Sequence, residues 1–388
     1  MHTSQPLEHL DAKALQDLIS RYYAGENVAA LLKEFNIACR TGVLWSYFPP
    51  DEAGRDCPMC NAPLVVPHLS RTGARWKRAS PARCAACLHV ETLNCSCAVC
   101  SAARRLTIQE KKRFEIESVA NFCTSRWSYA PLDITPDQLS VEAATALLSL
   151  VRCGGWLDCS AVGAIRTSVI PFAPQEPEFK NQLLDVLLSG GLIAPLPSSP
   201  QGTFTVSGDE QSWETESAHW AMLFPDPPGF IRQLECLVAS PAWLEYSLAD
   251  CHHVWKRLAA AECWEFCKYS VLQRDLPMPG TTALYALIEN LLQDFSVSQC
   301  YQLIWASAAD ATDYRARKRI TAHHAANYLI GACQRRADRS RAEQWPVKGF
   351  HRNYQLVRSQ VSHVLHDVFL KHGENGFFQN PATQDTNT

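Results

Sequence analysis

A cluster of seven cysteines within residues 57–100 constrains this 388-residue chain more than any other feature of its sequence. The cluster begins with two Cys-x-x-Cys motifs, in each of which a tight turn lets both thiolates reach one tetrahedral ion. Together the motifs predict a small ribbon with a closed metal site at Cys57, Cys60, Cys84 and Cys87. Zinc is the natural metal because it is redox-silent and prefers tetrahedral sulfur, and iron also fits the shell.

The cluster continues with four more residues of metal-binding type, His89, Cys95, Cys97 and Cys100. Three cysteines within six residues are rare without a ligand, so this group predicts a second ion in a Cys₃His shell. In the alternative, the Cys97–Cys100 pair exchanges with one of the first two motifs. We therefore expect one zinc ion, and a second remains open. A redox function is disfavoured because the strand-then-helix context of such motifs is missing.

Residues 1–50 have the outline of three short helices. Apolar residues recur at helical spacing from Asp11 to Gly25 and again over residues 28–35. A turn at Asn36 then leads into a third helix over residues 40–48. Three short helices with a tight second turn predict a helix-turn-helix unit. The alternative is a three-helix packing unit that touches no nucleic acid.

The segment from Arg21 to Ile37 carries the phrase Tyr-x-Gly-x-x-Val-x-x-Leu-x-x-x-Phe-x-Ile. In this it resembles the opening of transposase and resolvase DNA-binding domains, which implies DNA contact by Arg40 and the third helix. A helix-turn-helix followed by Phe48-Pro-Pro and a Cys-Pro-x-Cys ribbon also resembles bacterial proteins from mobile-element and defence neighbourhoods. This second resemblance implies a regulatory, mobile-element or antiviral role, with other proteins of the same operon as partners.

The loop between the two Cys-x-x-Cys motifs is basic and contains an aromatic residue. Such a composition suits phosphate contact combined with stacking or groove insertion. The alternative is a solvated face of the ribbon. The predicted nucleic-acid contacts in this loop are Arg71, Arg75, Trp76, Lys77, Arg78 and Arg83.

Charge is distributed unevenly along the chain, although the net charge is only -3. Residues 173–250 contain eleven acids and two bases, whereas residues 315–358 contain eleven bases and two acids. The basic segment is predicted either to face a polyanion or to dock against the acidic segment. Its candidate nucleic-acid contacts are Arg317, Lys318, Arg335 and Arg336.

The remaining chain is mostly helical by pattern. After a helix over residues 179–189, the runs 192–196 and 203–206 are extended and form a small hairpin, which has the outline of a winged-helix ending. Residues 296–298 are expected to form a short turn with a capping serine before the next helix. The other predicted helices cover residues 106–123, 141–152, 243–270 with a break near Asp250, 281–295, 299–309 and 320–341.

The predicted fold class is mainly α and multi-domain. A helix-turn-helix-like unit is followed by a small zinc ribbon, a helical or winged-helix-like middle, a helical C-terminal domain with the basic segment, and a disordered tail. The corresponding boundaries are 1–50, 51–103, 104–225, 226–378 and 379–388.

Several other classes of protein are disfavoured. The polar N-terminus lacks a signal-peptide core and no apolar run approaches a membrane span, so we expect a cytoplasmic protein with reduced thiols and no membrane partner. Phosphate-loop, nucleophile-elbow and metalloprotease motifs are absent, which favours a binding protein over an enzyme. A catalytic site assembled from distant residues stays open. The group Cys251, His252, His253, Cys263 and Cys267 is interpreted as core.

These features together predict a zinc-containing nucleic-acid-binding protein, with DNA favoured over RNA. The alternative is a protein-interaction scaffold in which the zinc module is a structural clip.

Overall fold

The computed structural model describes residues 6–76, 80–207 and 210–382. It is mainly helical with small sheets, as the sequence predicts. The chain forms two compact units, unit 1 over Met1–Glu115 and unit 2 over Ile116–Thr388. The finer division into five segments stays a prediction. Within the predicted tail, Asn380 Nδ2 donates to the carbonyl oxygen of Gln293 at 3.2 Å, and residues 383–388 lie outside the described residues.

Unit 1 begins with three helical elements whose apolar sides share a small core. They are α1 (Ala12–Ala24), α2 (Val28–Glu34) and a 3-10 helix (Thr41–Tyr47). Asp11 caps α1, and Gly25 ends it in the left-handed conformation. The core residues include Leu18, Tyr22, Leu31, Leu44 and Phe48.

The third predicted helix, residues 40–48, is a 3-10 helix rather than an α-helix. Gly42 weakens α-helix formation here, and the segment ends just before Pro49. Two side chains also donate hydrogen bonds to backbone carbonyl oxygens of this segment. Trp45 Nε1 donates to Gly42 O at 3.0 Å, and Ser46 Oγ donates to Val43 O at 2.7 Å. The surface predicted to read DNA is therefore a short, tightly wound segment.

The ribbon follows as a three-stranded antiparallel sheet in the order β1-β2-β3. Its strands are β1 (Asp51–Asp56), β2 (Pro63–Val66) and β3 (Arg83–Cys84). Between β2 and β3 lies the short helix α3 (Arg71–Arg75). Leu64 pairs with Cys84 in this sheet, and Cys57 follows β1 directly. The sheet thus brings the two Cys-x-x-Cys turns to one end of the ribbon.

Helix α4 (Ala98–Arg126) is longer than the predicted helix over residues 106–123. Its first turn contains Cys100, one of the predicted metal ligands. Residues 103–117 are exposed on every side, whereas Phe122 and Cys123 near its end are buried. The helix therefore has a long middle section with no packing partner in the described residues.

Unit 2 is built mainly from helices around one large core. Its fully buried side chains include Leu147, Trp220, Trp255, Tyr301 and Phe369. The longer helices are α5 (Val141–Gly154), α6 (Pro177–Ser189), α7 (Pro227–Val238), α8 (Pro241–Leu272), α9 (Thr281–Leu291), α10 (Val297–Lys318) and α11 (Ala322–Glu343). The C-terminal elements are α12 (Gln360–His363), a π-helical turn (Val364–Phe369) and α13 (Asn375–Phe378).

The strands of unit 2 correct the winged-helix prediction. The predicted hairpin between residues 192–196 and 203–206 is wrong, because these runs pair with other strands. One sheet has the order β4-β8-β5 and a separate hairpin pairs β6 with β7. The strands are β4 (Ala161–Val162), β5 (Ile193–Pro195), β6 (Phe204–Ser207), β7 (Glu210–Trp213) and β8 (Trp220–Met222).

Helix α8 is continuous, so the predicted break near Asp250 is wrong. The carboxylate of Asp250 is exposed to solvent and leaves the backbone hydrogen bonds of the helix intact. Cys251, Cys263 and Cys267 on α8 are buried in the hydrophobic core, as the core interpretation predicts. A serine caps α10 as predicted, and it is Ser296, in a reciprocal capping box with Gln299. The helix therefore begins at Val297, two residues before its predicted start at Gln299.

Candidate metal centres

Four thiols converge at the end of the ribbon and form the first candidate centre, called centre A. It consists of Cys57, Cys60, Cys84 and Cys87, whose Sγ atoms all lie within 4.8 Å of one another. Contacts cross between the two motifs, with 3.6 Å from Cys57 to Cys87 and 3.4 Å from Cys60 to Cys84. These separations exceed the length of a disulfide bond, and all four cysteines are free. Centre A is thus a four-thiol cluster of the predicted composition.

The two turns of centre A share a backbone conformation. The residue after the second cysteine is left-handed in each, with φ of +57° at Asn61 and +59° at Leu88. In the first turn, Cys57 N donates to Ala62 O at 2.8 Å, and in the second, Cys84 N donates to His89 O at 2.7 Å. A left-handed conformation costs leucine roughly 1–2 kcal/mol. Leu88 therefore holds local strain, which metal coordination by the adjacent cysteine would compensate.

The second candidate centre, called centre B, consists of His89, Cys95, Cys97 and Cys100. Its four ligand atoms also lie within 4.8 Å of one another. His89 Nδ1 is 3.3 Å from Cys100 Sγ and 3.8 Å from Cys97 Sγ. All eight predicted ligands therefore fall into two separate groups, and the described residues show no exchange of pairs between the motifs.

Both groups fit a tetrahedral ion of the size of zinc. Bond lengths of about 2.3 Å to sulfur and 2.0 Å to nitrogen place ligand atoms about 3.5–3.8 Å apart in a tetrahedron. The observed separations of 3.3–3.8 Å lie close to this range. The arrangement is compatible with one or two zinc ions.

Backbone N–H groups surround the thiols of both centres. Val90 N donates to Cys95 Sγ at 3.2 Å, Cys100 N donates to Cys97 Sγ at 3.4 Å and Met59 N donates to Cys57 Sγ at 3.4 Å. Donors of this kind stabilise a thiolate and orient it toward a metal. The backbone is therefore arranged to stabilise ionised ligands in both centres.

The pKa values of the thiols differ within each centre. The backbone N–H of Cys87 is the main cause that lowers the pKa of Cys84 to about 7, and the N–H of Val90 is the main cause that lowers the pKa of Cys95 to about 6. In contrast, the hydrogen bond with the Cys97 thiol raises the pKa of Cys100 to about 11. Neighbouring thiolates repel one another, so a bound cation is needed before all members of a centre can ionise.

The basic loop between the motifs begins with a segment that is fixed to the helices of unit 1. Ser70 caps α3, and the guanidinium of Arg71 lies 4.3 Å from the ring centroid of Tyr22 while donating to the carbonyl oxygen of Glu26. Tyr23 OH donates to Leu69 O at 2.7 Å. These contacts pack the ribbon loop against α1. Arg71 therefore has a structural role.

The other predicted contacts in and near this loop point into solvent. Trp76 is 73% exposed, and Arg75, Arg83 and Arg40 are also exposed. Within the part of the chain that the structure describes, these three arginines form no side-chain hydrogen bond or ion pair. Lys77 and Arg78 lie outside the described residues.

The predicted nucleic-acid contacts of the C-terminal basic segment belong to unit 2. Arg317 and Lys318 are exposed in the last turn of α10. On α11, the guanidinium of Arg336 is held by Asp310, with Nη2 to Oδ2 at 2.7 Å, and that of Arg335 lies 5.2 Å from the ring centroid of Tyr328. Arg317, Lys318 and Arg335 are therefore exposed, whereas Arg336 is half-buried and paired.

Many of the bases in residues 315–358 are paired inside unit 2. Their described acidic partners lie outside the acidic segment 173–250, so these ion pairs do not join the two segments. The pairs are Arg336–Asp310, Arg339–Glu343, Arg341–Asp294, Arg341–Asp338, Arg352–Glu262, Arg352–Glu374, Arg358–Asp367 and Arg358–Glu374.

One residue at centre B was missed by the sequence reasoning. Arg104, one turn beyond Cys100 on α4, donates through Nη2 to Cys95 O and through Nη1 to Leu93 O, the second at 3.4 Å. It joins α4 to the loop that carries a ligand of centre B. The signal for Arg104 in the sequence is its spacing of four residues from Cys100, which places both residues on the same face of a helix.

Comparisons of the chain with protein-family models, with curated proteins and with solved structures each found no match. Among the helices of residues 6–76, 80–207 and 210–382, none combines the length and the apolar character that a membrane span requires.

Proposed function

We propose that the chain is a zinc-containing, DNA-binding protein, and that unit 1 is its metal-dependent binding module. The observation that carries this proposal is the loop closed by centre A. Cys60 and Cys84 bound it, and it exposes Arg75, Trp76 and Arg83 with no intramolecular partner among the described residues for either arginine. A structural ion would hold both ends of this loop in place and so fix the positions of its charges.

The proposed binding mode is phosphate contact by Arg75 and Arg83, with stacking or groove insertion by Trp76. Arg40 and the 3-10 helix Thr41–Tyr47 would add a neighbouring contact, because the packing of Arg71 on Tyr22 fixes the loop against α1. In unit 2, the exposed bases Arg317, Lys318 and Arg335 would contribute. The resemblance to transposase and resolvase domains favours DNA, and a regulatory, mobile-element or antiviral role with partners from the same operon belongs to this proposal.

The chelator experiment tests this proposal directly. Anisotropy of labelled duplex DNA is measured with the reduced, zinc-loaded full chain, before and after removal of metal with 1,10-phenanthroline. We expect micromolar or tighter binding that weakens strongly as salt rises, with log K falling by about 0.9 per phosphate contact for each unit of log salt. Metal removal should abolish the binding, and added zinc should restore it.

A matched pair of variants locates the contact. Arg75→Ala/Arg83→Ala should weaken DNA binding about tenfold and reduce the salt slope by about two. Arg232→Ala/Arg339→Ala removes the same charge from exposed positions of unit 2 and should leave binding unchanged. If the zinc-loaded protein leaves DNA unbound even at low salt, the scaffold alternative replaces the proposal. Metal-dependent loss of the DNA itself would indicate an enzyme instead.

A further inference from the structure

The middle of α4 is the most exposed long helical segment of unit 1. Residues 103–113 are accessible on all sides, although an isolated helix is only marginally stable in water. This section carries Arg104, Arg105, Lys111, Lys112 and Arg113 against a single acid, Glu110. This exposed basic section belongs to neither the ribbon loop nor the first three helices, so the contacts proposed above do not include it.

Four of the five cations in residues 103–113 have no internal partner among the described residues. Arg105, Lys111, Lys112 and Arg113 form no ion pair or side-chain hydrogen bond within the described ranges of the chain. In the C-terminal basic segment, by contrast, five of the nine arginines have an acidic partner, as Arg336 has Asp310. Positive charge that is both fully exposed and unpaired is a surface for an anionic partner.

The angular positions of the exposed side chains around α4 suit a helix that lies in a groove. At about 100° per residue, Arg105, Gln109 and Lys112 fall within about 60° of one another and form one central row. Lys111 and Arg113 lie roughly 100° to either side of Lys112. A helix with its central row toward the groove floor therefore presents one cation to each flanking strand.

We propose that α4 enters the major groove of duplex DNA, with Arg105, Gln109 and Lys112 facing base edges and Lys111 and Arg113 on the phosphates of the two strands. The groove is about 12 Å wide and admits one α-helix, and arginine, lysine and glutamine are donors that read base edges there. Duplex RNA fits poorly because its major groove is deep and narrow. This inference rests on the proposed DNA-binding function and adds a second contact surface to it.

Centre B sets the position of this helix. Cys97 precedes α4, Cys100 lies in its first turn and Arg104 donates to the carbonyl oxygen of Cys95. An ion in centre B would thus fix the base of the helix that carries the contacts. Arg104 is a positioning residue in this arrangement, and the contacts to DNA belong to the residues that follow it.

Binding measurements on the full chain test the surface. Arg105→Ala/Lys112→Ala should weaken binding of mixed-sequence duplex DNA about tenfold, and Lys111→Ala/Arg113→Ala should lower the salt slope by about two. Arg232→Ala/Arg339→Ala is the charge-matched control and should bind like the parent protein. Zinc content and helix content by circular dichroism should be unchanged in all three, since the replaced side chains are exposed.

Crosslinking gives a readout that does not depend on affinity. A photoreactive amino acid at Gln109 should crosslink to duplex DNA, whereas the same amino acid at Thr107, about 160° away around the helix, should not. Both positions are exposed and polar, so the two proteins should fold alike. Equal crosslinking from the two positions would contradict groove insertion.

The outcomes separate this inference from the proposed function. If Arg75→Ala/Arg83→Ala weakens binding but the α4 variants bind like the parent, the ribbon-loop function stands and the α4 surface is wrong. If the parent protein binds no DNA, both proposals fail. Binding of anionic vesicles of phosphatidylserine and phosphatidylcholine that is lost in the α4 variants, with DNA binding unaffected, would assign the helix to a lipid surface and overturn its role in the groove.

Discussion

Arg352 and Glu262 form a buried ion pair in unit 2, with 2.8 Å between Nη1 and Oε1. Their side chains are only 16% and 5% exposed. Glu262 lies in the middle of α8, and Arg352 lies in the segment between α11 and α12. Glu374, just before α13, is within 3.8 Å of Arg352 Nε. The pair therefore joins the C-terminal segment to the central helix of the core.

Replacing Arg352 should strongly destabilise unit 2. Arg352→Met leaves the Glu262 carboxylate buried without its counter-charge, and loss of one partner of such a pair costs about 3–5 kcal/mol. The free energy of unfolding is measured by urea titration followed through tryptophan fluorescence. Arg339→Ala breaks an exposed pair with Glu343 and should change that free energy by less than about 0.5 kcal/mol. Similar losses in both variants would show that burial does not govern the effect.

A second prediction concerns acid stability. Burial is the main cause that lowers the pKa of His366 to about 3, with the charge of Arg358 adding to it. The unfolded chain takes up this proton near the ordinary value of 6.5, so the folded state binds fewer protons between these values. The resulting stability is complete above pH 6.5 and is lost as pH falls toward 3.

The pH prediction is checked with a neutral replacement. Between pH 6 and pH 4 the free energy of unfolding should fall by about 1.4 kcal/mol per pH unit from His366 alone. His366→Met should remove that part of the slope, because methionine does not titrate. His323→Gln, at an exposed position of α11, should leave the slope as it is. A His366→Met profile as steep as that of the parent would contradict the assignment.

The metal centres were the part of the structure most accessible from sequence. Their ligands are close together in the chain and belong to residue types with few other uses at this spacing, so local pattern is sufficient. The serine cap of α10 is similarly local, since Ser296 followed three residues later by Gln299 forms a capping box. The predicted start of the helix at Gln299 is nevertheless two residues late. The long apolar pattern of α8 was also visible, although its predicted break at Asp250 was wrong.

The strand pairing of unit 2 was not accessible in this way. The run at Ile193 pairs with Met222, which lies farther along the chain than the hairpin β6–β7. The sequence predicts pairing with the next extended run instead, because a period-two pattern does not identify the partner of a strand. The charge pattern had the same limitation. An excess of arginine was visible in residues 315–358, but acids such as Glu262 and Asp294 meet those side chains only after folding.

Removing a ligand from one centre should lower the zinc content of that centre alone. Cys84→Ser removes one thiolate of centre A, so bound zinc should fall by about one equivalent. Metal is measured by mass spectrometry on reduced, purified protein. Cys159→Ser alters an exposed cysteine that belongs to neither centre and should keep the zinc content of the parent protein. Unchanged zinc in Cys84→Ser would exclude centre A as a site, and equal loss in both variants would exclude ligand-specific binding.

The last prediction concerns the close approach of two backbone segments at the end of α5. A Cβ on Gly154 would lie 2.2 Å from the carbonyl oxygen of Gly163 and 2.7 Å from Val162 Cγ1. Alanine normally stabilises a helix relative to glycine, by about 1 kcal/mol. Here the clash is with backbone, which has little room to move, so Gly154→Ala should instead destabilise unit 2 by about 1–3 kcal/mol. Gly331→Ala, inside α11, would meet only the end of the flexible Arg335 side chain at 3.1 Å and should be neutral or slightly stabilising in the same urea titration. A stabilised Gly154→Ala protein would mean that helix propensity outweighs the contact with Gly163.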